Sequence, residues 1–171
     1  MGKTSIFFSR GFTLIGFIVV VVIIGILATG VIVFLDPSAQ LQKSRDAQRK
    51  SDFSGIQKVL EAYYQDNNSY PIGNASSNFE IKDKNGNTVS WNSPWLPYTG
   101  TLPRDPSPLR NYVYYSSGQS YYLYASLERG SEDPQACNSG NACASLSGNN
   151  IPATQCGGTC NYGVSTPDVS I

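Results

Sequence analysis

The sequence predicts an α+β chain: a long N-terminal helix, then short antiparallel hairpins, then a cysteine-bearing tail. Three observations carry that reading. The run from Phe12 to Leu35 contains no charged residue. Phe53, Ile56, Leu60 and Tyr63 then recur at helical spacing, with Val59 widening the stripe. Asn111 to Ser116 and Ser120 to Glu128 are β-branched or aromatic runs with period-two character, joined at Ser117-Gly118-Gln119.

The charge-free run is about 24 residues long, roughly 36 Å as a helix and enough to span a bilayer. In lipid every peptide group must be bonded internally, so a helix is the expected form. Val and Ile dominate at some cost in helix propensity. Gly25 and Gly30 are points where the rod could bend or unwind locally. Its length exceeds the ~7–15 apolar residues of a secretory signal. A plain N-terminal anchor and a signal peptide cut near Ala39 are the competing readings.

The junction Ser9-Arg10-Gly11-Phe12-Thr13-Leu14-Ile15 decides among these. A short leader carrying Lys3 and Arg10 ends in Gly11, and the apolar run continues through Ile23-Ile24-Gly25-Ile26-Leu27-Ala28. This resembles the prepilin signal of type IV pilins and type II secretion pseudopilins. The resemblance implies a prepilin peptidase that cuts between Gly11 and Phe12, methylation of the new N-terminal Phe12, and retention of the run. It also implies packing against other pilin subunits, of the same or another kind. Gly25, Ala28, Thr29 and Gly30 are small enough to permit close helix approach there. Most family members carry a glutamate where this chain has Gly16. That carboxylate is thought to pair with a neighbour's free amine, in a medium where unpaired charge is costly. Gly16 cannot do so, which points toward a minor subunit.

Lys3 and Arg10 precede the run, and Lys43, Arg45, Arg49 and Lys50 follow it. A positive-inside tally would keep the C-terminal part in the cytoplasm. Large domains translocate despite flanking charge, and the C-terminal region is rich in Asn, Ser, Gly and Tyr. The resemblance implies a single pass through the inner membrane with the head outside the cytoplasm, then a periplasmic or cell-surface fibre.

Asp36 before Pro37 suits a helix N-cap and first turn, and Pro37 could bend the rod. One long helix is expected, apolar first and amphipathic later. Its pairs are Asp46 with Lys50 and Arg49 with Asp52. It stops in the turn cluster Asp66-Asn67-Asn68-Ser69-Tyr70-Pro71. Gln40 to Ser51 has almost no apolar face, so it is solvated or packed in polar fashion against fibre neighbours. Its basic residues invite a nucleic-acid reading. Without interleaved aromatics to stack on bases, a solvated face with Asp46 and Asp52 as counterions is expected instead.

Lys84-Asn85-Gly86-Asn87 is a turn signal joining Phe79–Lys82 to Thr88–Trp91 as a hairpin. Trp91, Pro94, Trp95, Pro97 and Tyr98 read either as a carbohydrate-binding patch or, preferably, as rings that pin a loop to the core. Tyrosines at 112, 114, 115, 121, 122 and 124 give each later strand one packed face and one wet face. Leu102-Pro103-Arg104-Asp105-Pro106 and the turn at 66–71 also resemble the pilin and pseudopilin family. The resemblance implies a long helix packed on a small antiparallel sheet. The expected divisions are a leader (1–11), a transmembrane and assembly helix (12–35), an amphipathic helix (36–66) and a globular head (67–171).

Twelve basic and twelve acidic residues leave no net charge, so bulk attraction to nucleic acid or anionic lipid is not expected. Histidine is absent, which excludes Ser-His and Cys-His nucleophile pairs and His-ligated metals. No catalytic residues, cofactor or metal are expected, and no enzyme. Cys137, Cys143, Cys156 and Cys160 lack the tight CxxC knuckles of structural zinc sites. In an oxidising compartment they are expected as disulfides that close the C-terminal region. Three connectivities are open; linking 137 or 143 to 156 or 160 would close the longer loop. Glu128, Glu132, Asp133 and Asp66 are the weak alternative for calcium. A structural pilin-like subunit of a type IV pilus-like fibre is the leading reading. A type II secretion pseudopilin and a DNA- or surface-binding tip pilin are the alternatives.

Overall fold

The computed structural model describes residues 13–171, the side chains of residues 30–35 excepted. The single long helix expected from the sequence is two: α1 (Leu14–Leu35) and α2 (Pro37–Asn67), separated by Asp36. The break has a local cause. Asp36 is left-handed (φ 35°, ψ 79°), and Pro37 has no N–H to carry the ladder across. The Asp36 carboxylate accepts from the Ala39 N–H (3.3 Å) and the Ser38 hydroxyl (2.7 Å). It therefore caps α2, with Pro37 in the first turn. α1 runs unbroken through Gly25 and Gly30, so neither glycine unwinds it.

The chain divides after Gln40 into two compact units. In the first, the large apolar side chains described for α1 are exposed, from 41% at Val20 to 76% at Leu14. Among the described residues no helix is long and apolar enough to cross a membrane.

In the second unit, β3 (Val113–Ser116), β4 (Tyr121–Ala125) and β5 (Tyr162–Ser165) form an antiparallel sheet with β4 central. β5 lies at the edge of this sheet. β1 (Ile81–Lys82) and β2 (Thr88–Val89) make a separate hairpin, two residues per strand. Its turn is set by Asp83, whose carboxylate accepts the N–H groups of Asn85 and Asn87 at 2.8 Å, with Gly86 at φ 83°.

Side chains alternate across the three-stranded sheet. Tyr112, Tyr114, Tyr121, Leu123, Ala125 and Tyr162 join Phe53, Ile56, Leu60 and Tyr63 of α2 in one buried cluster. Phe53 packs edge-on to Tyr112, with ring centroids 5.1 Å apart. The expectation of a wet second face fails. Val113 and Tyr124, with half-buried Tyr115 and Tyr122, pack under Cys143, Leu146, Ile151, Cys156 and Cys160. The tail is a lid over that face.

The lid holds itself locally. Cys137 bonds Cys143 and Cys156 bonds Cys160, spanning six and four positions. Both pairs are formed, but the longer-range linkage weighed from the sequence is not used. Three of the four cysteines are buried and serve as apolar contacts as well as covalent ties.

Candidate functional site

Six residues of α2 are buried: Asp46, Arg49, Phe53, Ile56, Leu60 and Tyr63. They form one stripe with alternating steps of three and four residues, so a single helix face points inward along its length. The C-terminal four positions are apolar. The first two carry charge, and Arg49 is fully buried.

A buried guanidinium must be matched by acceptors, and here it is. Arg49 Nε and Nη2 donate to Asp105 Oδ2 and Oδ1, both at 2.8 Å, a bidentate pair. Its Nη1 donates to Asp46 Oδ1 at 2.7 Å and to Glu128 Oε1 at 3.1 Å. Asp46 also accepts the backbone N–H groups of Glu128 and Arg129 at 2.9 Å. Arg45 grips Glu128 through Nε (2.7 Å) and Nη2 (2.5 Å). Thus α2, the loop before β3 and the chain leaving β4 are tied together by one charge-assisted network.

The electrostatics follow. The Arg45 and Arg49 hydrogen bonds hold the Glu128 carboxyl down at about 2. Burial disfavours the charge on Arg49, but its three carboxylate partners more than offset that and raise its proton affinity above the ordinary arginine value. Burial raises Asp52, against the pull of the Tyr112 hydroxyl donated to it at 2.6 Å. No acid or base in this network lies free to attack a substrate. It holds shape.

Arg45, Arg49 and Lys50 do not form a solvated face. Asp46 serves as an internal counterion, but to Arg49. Lys50 Nζ reaches Asp133 at 2.5 Å in place of Asp46, and Arg49 takes Asp105 as its bidentate partner in place of Asp52. In the polar half of the helix Asp46 and Arg49 pack against the head, while Lys43, Ser44, Ala47, Gln48 and Ser51 stay exposed. Three acids of the calcium alternative hold cations of the chain itself: Glu128 holds Arg45 and Arg49, Glu132 holds Arg129, and Asp133 holds Lys50. Asp66 is exposed near the end of α2. Among the described residues no group of three or more His, Cys, Asp and Glu is placed to hold a metal ion. Trp95 is buried against Tyr63 and Tyr98, pinning its loop.

Gly11 and Phe12 lie outside the described residues. Gly16 sits in the first turn of α1, its N–H donated to Thr13 Oγ1 at 3.3 Å. A Cβ on Gly25 would meet nothing within 4 Å, and the Thr29 hydroxyl donates to its carbonyl at 2.9 Å. Gly30 lies where side chains are not described.

A helix face clamped and packed on a small antiparallel sheet is the arrangement that the resemblance to pilins and pseudopilins implies. The family model described as "Type II secretion system (T2SS), protein G" matches residues 38–143, and the chain belongs to that pseudopilin family. It is similar to the type II secretion system core protein G of Dickeya chrysanthemi, 32% identical over 99 residues, or 57% of this chain and 62% of the relative. The protein of that name from Pectobacterium carotovorum subsp. carotovorum is 32% identical over 99 residues, 57% and 61% of the two chains. That of Klebsiella pneumoniae is 31% identical over 99 residues, 57% and 68%. The chain thus spans about three fifths of the length of the first two relatives. No solved structure matches. The relatives are named as secretion-system core proteins.

Proposed function

We propose that this chain is a pseudopilin of a type II secretion apparatus, stored in the inner membrane and assembled with other pilin-like subunits into a fibre. The observation that carries this is the family match over residues 38–143, which holds the clamped part of α2 and the sheet strands β3 and β4. The leader (1–11) is removed by a prepilin peptidase between Gly11 and Phe12. Residues 12–35 act first as membrane span and then as packing surface, residues 36–66 lead into the head, and residues 67–171 are the head outside the cytoplasm. The charge-free sequence of residues 12–35 and the exposure of Leu14 to Leu27 support that use: such side chains need lipid or neighbouring helices around them. Gly25 and Gly30 are sites of close helix approach.

Gly16 supplies no carboxylate to a neighbour's amine. An unpaired amine in lipid costs several kcal/mol, so incorporation depends on a subunit that brings the glutamate. Expressed as the only pilin-like protein, the chain stays in the membrane fraction. Co-expressed with a glutamate-bearing partner, it appears in sheared fibres, and Gly16→Glu improves assembly alone. Abundant fibres of the unaltered chain by itself would overturn the dependence.

A further inference from the structure

Trp91 packs against the edge of the core that buries Trp95. It stays half-buried, with its ring edge-on to Tyr112 at 5.7 Å between centroids. There it lines a cavity of about 170 Å³ together with Arg104, Asp105, Arg110, Asn111 and Tyr112. We infer that this cavity is a recognition subsite for one carboxylated sugar ring, a uronic acid residue of an acidic glycan.

Its charge points to an anion. Asp105 is the acid in the lining, and its oxygens are committed to Arg49 and to the Ser107 N–H at 2.8 Å. Arg104 is exposed, and among the described residues its guanidinium has no partner. Arg110 uses Nη1, which donates to the Ser126 carbonyl at 2.5 Å and hydroxyl at 2.9 Å. Its Nε and Nη2 are uncommitted among the described residues. Two guanidiniums against one acid, itself bonded to Arg49, leave the lining with a cationic excess that suits a carboxylate.

Its shape points to a ring. Pockets for drug-sized ligands run from about 300 to 1,000 Å³, so this one takes a single residue of a polymer. A pyranose has an apolar C–H face and a polar rim. Trp91, half-buried, lines the cavity with aromatic surface of the kind such a C–H face packs on, and Asn111 lines it with an amide oxygen that is uncommitted among the described residues. The walls are set before any ligand arrives. Asn111 donates its side-chain N–H to the Gln155 carbonyl at 2.7 Å and its backbone N–H to the Cys156 carbonyl at 3.1 Å. Arg110 is fixed by Ser126, against which Gly158 packs so closely that a Cβ there would lie 2.6 Å from the Ser126 hydroxyl. The site stands independently of the secretion reading.

The test is calorimetric titration of the full chain in detergent micelles with trigalacturonate, its methyl ester and a Glu-rich tripeptide. The acid sugar binds saturably at one site, and the ester and the peptide do not. Arg104→Gln and Trp91→Ala each weaken binding by about tenfold or more, the loss of one charge-assisted contact or stacking face. Arg129→Gln, a cation outside the cavity, leaves it unchanged. Arg104 is exposed, so its variant decides should Trp91→Ala unfold. No binding of the acid sugar, equal binding of the ester, indifference to Arg104→Gln, or binding of the peptide in its place overturns the assignment.

Discussion

The two helices satisfy opposite demands. α1 leaves Leu14, Ile15, Phe17 and their neighbours exposed, so its sequence calls for something outside itself. α2 buries an arginine and finds every acceptor for it within its own head. A greasy surface unmet within the chain marks where partners act, while a buried charge fully met marks where the scaffold is made rigid. Substitutions should therefore separate cleanly into assembly effects and stability effects.

The largest expected effect tests the rigid side. Arg49→Ala leaves Asp46 and Asp105 buried without a counter-cation, which costs about 3–5 kcal/mol, measured by urea unfolding of the purified protein. Leu27→Ala on the exposed helix changes head stability by less than about 0.5 kcal/mol. Comparable losses at the two positions would erase the contrast.

The lid comes next. Each disulfide closes a short loop and contributes about 2 kcal/mol in the chain-entropy account. Paired Cys→Ser variants of 137/143 and of 156/160 should each lower stability by that amount and expose Tyr115 and Tyr122. A free-thiol assay of the native protein should find none.

Acid probes the clamp more gently. Glu128 titrates at about 2 when folded against 4.5 ordinarily, so the folded state holds this proton less tightly than the unfolded one. Its contribution is complete above about pH 4.5 and declines as pH falls toward 2. Asp133 acts in the same direction: burial raises it, but the bonds from Lys50 and the Gln135 N–H bring it below the usual value. Asp52 is raised and opposes them. The melting temperature should fall between pH 5 and 2, and Glu128→Gln should flatten that fall. The smallest effect belongs to Lys50→Met, which removes a partly exposed ion pair worth about 0.2–1 kcal/mol.

Much of this was legible in the residues. Phe53, Ile56, Leu60 and Tyr63 announced the buried face of α2, and alternation at 111–116 and 120–128 announced the hairpin and its helix-packed face, but not the lid that covers the other face. The clamp was missed although its signal was present: Asp46 and Arg49 continue the same three-and-four spacing, so they occupy core positions. Charged side chains read as solvated unless their partners are known. Asp105 lies 56 positions from Arg49, and Glu128 lies 79. The disulfide pairing was equally hidden, since spacing permits all three connectivities and only the folded lid selects one. Asp36-Pro37 signalled the start of a helix, and that same start is the end of the helix before it.

The central claim is that the apolar run stays on the mature chain to face lipid and then neighbouring subunits. Intact mass spectrometry of the protein purified from membranes tests it most directly. A chain beginning at Phe12, with or without one methyl group on its amine, is the predicted result. A mature chain beginning near Gln40 would mean that the run is discarded as an ordinary signal, and the account of α1 would be wrong.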